Sequence, residues 1–139
     1  QRQRVEQVLA PTGQLLWFDD EPQLDAVTAL SGSGPAYVFY LLEAMIKAGE
    51  KVGLTAAAAK QLALATLHGA TQLAAQSEAS PQVLRERVTL QAGTTHAAIT
   101  VLEQRAVGDA IEAAILAARD RAAAMGDEFD QGPTGAMAQ

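Results

Sequence analysis

The segment from Val88 to Thr95 contains the residues best suited to bind an anion. Its sequence is Val-Thr-Leu-Gln-Ala-Gly-Thr-Thr, in which a turn leads directly into the pattern of a helix start. We expect the backbone amides of Gly93, Thr94 and Thr95 to point outward, because the first amides of a helix have no partner within it. The helix dipole adds about half a positive charge there, which favours a carboxylate. On the residues alone, a threonine-capped helix start without a ligand is the simpler interpretation.

A second segment, Gly32-Ser33-Gly34, looks like half of the glycine-rich fingerprint that binds dinucleotides. That fingerprint requires a buried strand before it and a third glycine three residues after the second. Here a helical pattern precedes the segment, and Tyr37 stands at the third-glycine position. The residues therefore predict a break between two helices, at which glycine permits the close approach of another backbone.

The two segments together resemble a known family. The string Asp25-Ala-Val-Thr-Ala-Leu-Ser-Gly-Ser-Gly-Pro-Ala-Tyr37 and the later Val88–Thr95, with Ala-rich helices between and after them, resemble the C-terminal half of pyrroline-5-carboxylate reductases. The resemblance runs from about Val5 to Gly126. It implies an all-α dimerisation domain of the 6-phosphogluconate-dehydrogenase C-terminal type. It also implies an oxidoreductase of proline biosynthesis, which reduces 1-pyrroline-5-carboxylate to L-proline with NADH or NADPH.

The resemblance implies roles for individual residues. Thr28, Glu78 and Thr95 would be catalytic, with the negative charge of Glu78 favouring the protonated imine of the substrate. On sequence alone, a surface glutamate at a helix end is the alternative for Glu78. The substrate-binding residues would be Val88, Thr89, Gly93, Thr94 and Thr95. The cofactor-binding residues, beside the nicotinamide, would be Ser33, Gly34 and Pro35.

Three positions depart from the family pattern, which is usually Val-Thr-Ser-Pro-Gly-Gly-Thr-Thr. Leu90 stands in place of the serine, Gln91 in place of the proline and Ala92 in place of the first glycine. Loss of a hydroxyl bonded to the carboxylate would weaken substrate binding by about 1.5–3 kcal/mol. Alanine in place of a glycine with positive φ would add roughly 1 kcal/mol of strain. These three departures argue against full enzymatic activity, but they do not change the predicted fold.

The composition indicates a helical domain that needs a partner. Of the 139 residues, 49% are hydrophobic but only 4% are aromatic, so Ala, Leu and Val must fill the core. Because small side chains bury little area, we expect a homodimer or a higher homo-oligomer. The net charge of −6 argues against nucleic acid and anionic membranes as partners. The chain has no apolar run of the roughly 20 residues that a spanning helix needs. We expect a cytoplasmic protein with a small-molecule substrate.

A metal site is not expected. The chain has no cysteine, and its two histidines, His68 and His96, are far apart in sequence without the spacing of metal ligands.

The chain divides into three parts in the sequence. Residues 1–20 are predicted to be the remnant of an N-terminal Rossmann domain, with a helix end and a short strand over Leu15–Phe18. Residues 21–126 carry the pattern of the helical dimerisation and substrate domain, and residues 127–139 are predicted to be a disordered tail. Since no strand–glycine-rich turn–helix unit is present, we expect this chain alone to bind no NAD(P)H and to be inactive.

Helix starts are predicted at Thr55 and at Ser80-Pro81, since both are capping residues before an apolar pattern. Apolar residues at helical spacing are predicted to share one side of each helix. Val38 is predicted to point inward, and Leu62 and Ile111 lie on the apolar sides of later helices. Two alternatives to the reductase stay open. One is a helical dimerisation module without catalysis, and the other is the C-terminal domain of another dehydrogenase with this architecture. The loop Val88–Thr95 distinguishes the first alternative from an enzyme, because a scaffold does not need exposed amides in that loop.

Overall fold

The computed structural model describes residue 6, residues 16–18 and residues 20–130, and the regular elements among residues 20–130 are all helical. Helix α1 spans Glu21–Val27 and continues through a π-helical turn, Thr28–Gly32, towards α2, which spans Gly34–Lys51. The helices that follow are α3 (Ala56–Gln76), α4 (Pro81–Arg87), α5 (Thr94–Gln104) and α6 (Val107–Asp130). The predicted all-α fold is confirmed.

The helix boundaries follow from local chemistry. The Thr55 hydroxyl accepts a hydrogen bond from the amide of Ala58 at 3.2 Å, which caps α3. The Ser80 hydroxyl accepts one from the amide of Val83 at 3.3 Å, which caps α4. After α2 ends, Gly53 has a φ of +101°, which only glycine adopts at little cost. Both predicted caps are therefore confirmed.

The chain's own helix contacts are made by small residues. Helices α2 and α3 form its most extensive helix pair, and they meet at Gly49. A Cβ atom on Gly49 would lie 2.8 Å from the Cβ of Ala59, closer than two carbon atoms can approach, so this crossing requires glycine. Ala59 and Ala63 are 3% and 5% exposed. At the other end of the domain, α1 and the π-turn pack on α6, and Ala29 is 1% exposed.

The large apolar side chains are mostly left on the surface. Val38, which was predicted to point inward, is 51% exposed. Leu62 and Ile111, on the predicted apolar sides of their helices, are 55% and 54% exposed. Among the described residues, the buried hydrophobic ones are three alanines. The prediction of inward faces is wrong for the single chain, because its helices meet through small residues and leave the longer side chains uncovered.

The predicted disordered tail begins too early. Helix α6 continues past Gly126 to Asp130, so residues 127–130 are helical. Glycine inside a helix costs only about 1 kcal/mol, and Arg121 Nη1 forms an ion pair of 2.8 Å with Glu128 Oε1 across that position. Residues 131–139 lie outside the described residues.

The predicted strand over residues 15–18 is also wrong where it can be checked. Residues 16–18 have no strand conformation, and Leu16 is 73% exposed. A strand is stable beside other strands, and the described part of the chain offers none. Residue 15 and most of the predicted Rossmann remnant lie outside the described residues.

Candidate functional site

The π-turn brings two of the predicted site residues together. The amide of Ser33 donates to the carbonyl oxygen of Thr28 at 2.8 Å, a bond that spans five residues instead of the usual four. Thr28 and Ser33 both line a pocket of about 420 Å³ between the π-turn and α6, the π-turn pocket. Its lining residues are Asp25, Thr28, Ser33, Ala118, Arg121, Ala122 and Met125. The sequence predicted a simple helix break here, whereas the backbone passes through a wider helical turn.

The sequence explains why the regular helix is interrupted at this point. Pro35 has no amide hydrogen and cannot donate to the preceding turn of helix. Ser33 takes the N-cap position of α2 and Pro35 lies in its first turn, where a missing amide costs nothing. π-helical turns of this kind are rare and are frequently found at functional sites.

The backbone at Gly34 is open on the side where a Cβ atom would lie. A Cβ atom built on Gly34 would have no heavy atom within 4 Å, and a Cβ on Gly32 would only touch Thr28 Cγ2 at 3.7 Å. Neither glycine has a positive φ. No contact within the described chain therefore requires glycine at these two positions.

The loop before α5, residues 88–95, is called the substrate loop here. Its centre is a turn in which the amide of Gly93 donates to the carbonyl oxygen of Leu90 at 3.1 Å. Ala92, the third residue of this turn, has a φ of +62°. A turn with a positive φ at its third position favours proline at the second and glycine at the third. The family's Ser-Pro-Gly-Gly suits this turn, and the present chain forms it with Gln91 and Ala92.

The amides available in the substrate loop are fewer than predicted. The Gly93 amide is occupied by its bond to Leu90, so the prediction of three free amides is wrong for Gly93. Thr94 and Thr95 are the first two residues of α5, and amides at these helix positions have no partner within the helix. Thr95 is half-buried and Thr94 is exposed.

Side chains on both sides of this turn connect it to α4 and α5. The Thr89 hydroxyl donates to the carbonyl oxygen of Arg85 at 2.6 Å, so its proton points back to α4. Arg85 also approaches Glu103 on α5, with an Nη1–Oε1 distance of 3.6 Å. Both partners of this pair are about half exposed or more, so its contribution is small. Val88 and Leu90 are exposed, and Leu90 has an apolar side chain where the family pattern has a serine.

Glu78 lies outside both structural features. It is an exposed residue in the connection between α3 and α4, where the Ala79 amide donates to the Ser77 hydroxyl at 3.1 Å. Neither Glu78 nor Thr95 lines the π-turn pocket. The structure thus brings Thr28 and Ser33 to one pocket. The roles that the family resemblance implies for these two residues, for Glu78 and for the substrate loop stay predictions.

Two residues of the π-turn pocket were missed in the sequence. Asp25 opens the string of the first segment, and Arg121 lies on α6 three residues after Ala118 and four before Met125. That helical spacing was the signal that placed Arg121 beside the apolar stripe of α6. Because Arg121 is paired with Glu128, its charge is partly balanced within the same helix.

Within the part of the chain that the structure describes, no three His, Cys, Asp or Glu side chains cluster closely enough to hold a metal ion. Among the described helices, none combines the length and the apolarity needed to cross a bilayer.

Sequence comparisons connect the chain with one group of enzymes. A family model for pyrroline-5-carboxylate reductase dimerisation matches residues 21–125. The pyrroline-5-carboxylate reductase of Pseudomonas aeruginosa is 47% identical over 131 residues, which cover 94% of this chain and 48% of the relative. Pyrroline-5-carboxylate reductase 2 of Bacillus subtilis is 44% identical over 110 residues, which cover 79% of this chain and 40% of the relative.

Solved structures give the same result. A pyrroline-5-carboxylate reductase from Coxiella burnetii superposes with a TM-score of 0.83 at 39% identity, over 87% of this chain and 45% of that one. The Plasmodium falciparum enzyme, solved with NADP bound, gives a TM-score of 0.82 at 30% identity, over 90% and 49%. The chain spans about half the length of the curated relatives it matches.

Proposed function

Because this chain belongs to the pyrroline-5-carboxylate reductase family, we propose that it forms the helical half of a cytoplasmic enzyme that reduces 1-pyrroline-5-carboxylate to L-proline. The observation that carries this proposal is the family match over residues 21–125, which includes both the π-turn segment and the substrate loop. The other half of such an enzyme would contain the nucleotide-binding unit, and this chain would supply substrate contacts and the interface between subunits.

The substrate loop is proposed to hold the substrate carboxylate. The amides of Thr94 and Thr95 open α5, so their unpaired hydrogens and the helix dipole both favour an anion. The Thr95 hydroxyl would add a further hydrogen bond. Compared with the serine of the family pattern, Leu90 would lower the affinity for the carboxylate, since it contributes no hydrogen-bond donor. Its side chain is 76% exposed beside the turn.

The reduction itself requires NAD(P)H, which supplies the hydride when it is bound. Ser33, Gly34 and Pro35 would lie against its nicotinamide end, and the open space at Gly34 fits this role. Thr28 would orient the reacting groups from the π-turn. Glu78 would favour the protonated imine by its negative charge, because a nearby anion stabilises a cation.

A second copy of the chain is the proposed partner. The described part of the chain leaves large hydrophobic residues exposed on several helices while burying only three alanines among its hydrophobic side chains. An obligate interface that covers such faces should bury more than about 2,000 Å² in total. Sedimentation equilibrium at micromolar concentration tests this, and a stably folded monomer would contradict it.

The activity is tested in a chimera. The chain is joined behind the N-terminal half of the Pseudomonas aeruginosa reductase, and oxidation of NAD(P)H is followed with 1-pyrroline-5-carboxylate as substrate. We expect turnover that requires both halves. Thr95→Ala is the matched variant, and it should lower kcat/KM about tenfold through loss of one hydrogen bond to a charged group.

A non-catalytic dimerisation module is the second candidate, and the three departures in the substrate loop favour it. Leu90 lacks a hydroxyl, and Ala92 is held at a φ of +62°. A folded, dimeric chimera without turnover, in an assay where the Pseudomonas aeruginosa enzyme is active, would select this candidate over the reductase.

A further inference from the structure

The π-turn changes which side chains share one side of the helix. In a regular α-helix, residues five positions apart point in directions about 140° apart. In the π-turn the Ser33 amide donates to the Thr28 carbonyl at 2.8 Å, so about one turn of the helix separates these two residues. Both then line the π-turn pocket. The register of this turn thus decides whether Thr28 and Ser33 can act on the same ligand.

The π register frees a carbonyl oxygen that an α-helix would use. With regular α-helical bonding, the Ser33 amide would donate to Ala29 instead of Thr28. The hydroxyl of Tyr37 donates to the carbonyl oxygen of Ala29 at 2.8 Å. Ala29 is 1% exposed, so its carbonyl group has little access to water as a replacement partner.

Resting on the proposed function, we propose that Tyr37 is a positioning residue of the reductase. Its hydroxyl satisfies the Ala29 carbonyl and so stabilises the π register relative to the α register. It acts through Thr28 and Ser33, which the π register keeps at one pocket. Tyr37 stands in the first turn of α2, so the same bond also joins the start of α2 to the turn before it.

Tyr37→Phe tests the proposal, since it removes the hydroxyl and keeps the ring. Tyr40→Phe is the matched control, because Tyr40 lies on the same helix and is 78% exposed. In the chimera we expect kcat to fall about tenfold for Tyr37→Phe, with the KM for pyrroline-5-carboxylate changed less than twofold, since the carboxylate is bound by the substrate loop. Tyr40→Phe should leave both constants unchanged.

A second measurement reports the register without enzyme activity. Scalar coupling across the hydrogen bond, observed by NMR in the 139-residue chain, identifies the carbonyl that accepts from the Ser33 amide. We expect Thr28 as the acceptor in the unmodified chain and Ala29 in Tyr37→Phe. Coupling to Ala29 in the unmodified chain would overturn the proposal, whether or not the variant folds.

The outcomes separate this inference from the proposed function. An inactive chimera with the unmodified chain overturns the reductase function, and with it the role of Tyr37 in catalysis. An active chimera in which Tyr37→Phe and Tyr40→Phe behave alike overturns the positioning role alone. A parallel rise in KM and fall in kcat for Tyr37→Phe would indicate a general loss of structure and would also overturn it.

Discussion

The π-turn segment, residues 25–37, and the substrate loop, residues 88–95, keep their shapes by different means. The π-turn segment is fixed by the bond from Tyr37 to Ala29 and by packing on α6. The substrate loop is closed by a local backbone bond between Gly93 and Leu90 and by the Thr89 hydroxyl. The family string is kept in the first segment and broken at three positions in the second. The local bond between Gly93 and Leu90 therefore closes this turn although Ala92 has a positive φ.

Among substitutions in the π-turn segment, Gly34→Ala should cause the largest loss of cofactor affinity. No atom of the described chain would contact the new Cβ within 4 Å, so the melting temperature should change little. A bound nicotinamide would contact it, so we expect the affinity of the chimera for NAD(P)H to fall about thirtyfold, or roughly 2 kcal/mol. Isothermal titration calorimetry measures this change.

Gly108→Ala is the control for this variant. Gly108 lies near the start of α6 as Gly34 does at the start of α2, and its Cβ position is also open. Both variants should fold, and only Gly34→Ala should lose cofactor affinity. Equal affinities in the two variants would mean that the open space at Gly34 faces no cofactor.

Restoring the family pattern in the substrate loop should strengthen its binding of a carboxylate. The triple substitution Leu90→Ser, Gln91→Pro and Ala92→Gly adds a hydroxyl donor and supplies the residues that this turn favours. We expect proline or a cyclic carboxylate analogue to bind about tenfold more tightly, equivalent to roughly 1.4 kcal/mol. The measurement is the shift of the loop amide signals during NMR titration of the native and substituted chains.

Thr95→Ala in the substituted chain should undo part of that gain, because it removes the hydroxyl next to the two free amides of α5. If neither the native nor the substituted chain shows saturable shifts at Thr94 and Thr95, the isolated loop is not a carboxylate site.

The smallest expected effect concerns strain alone. Ala92 and Ala106 are the non-glycine residues with positive φ in the described chain, at +62° and +51°. Replacing either with glycine should stabilise the protein by about 1 kcal/mol, since left-handed backbone costs an alanine roughly that much. Chemical denaturation of the protein measures both free energies of unfolding.

The pair of glycine variants also tests function. Ala106 lies between α5 and α6, outside the substrate loop, so Ala106→Gly should leave carboxylate binding unchanged. Ala92→Gly should alter binding modestly through the loop. A stability gain at Ala106 without one at Ala92 would show that the loop turn is not strained in solution.

Much of the fold could be predicted because its signals are local. The caps at Thr55 and Ser80 and the end of α2 before Gly53 each depend on residues within one turn of the boundary. The sequence left open whether the family's glycine at position 92 has a positive φ, and the structure gives Ala92 a φ of +62°. The family assignment itself came from two short strings, and the match over residues 21–125 confirms it.

The features that were missed depend on pairs of residues far apart or on competing bonds. The π-turn arises from the choice of Thr28 over Ala29 as acceptor for one amide, a choice that no residue pattern displays. The extension of α6 past Gly126 was missed because glycine inside a helix costs only about 1 kcal/mol and does not by itself end the helix. The direction of the apolar faces could not be predicted, because the helical period shows which residues share a face and does not show whether the same chain covers it.

The contact of Gly49 with Ala59 has a consequence for the order of assembly. These residues are ten positions apart, and a loop of about that length closes in roughly 10–100 ns. Helix formation takes about 0.1–1 μs, whereas the docking of subunits takes milliseconds to minutes and depends on concentration. We therefore expect the α2–α3 hairpin to form long before two chains meet. Newly synthesised chains would then encounter one another as preformed hairpins, and dilution would slow the final step without affecting the first.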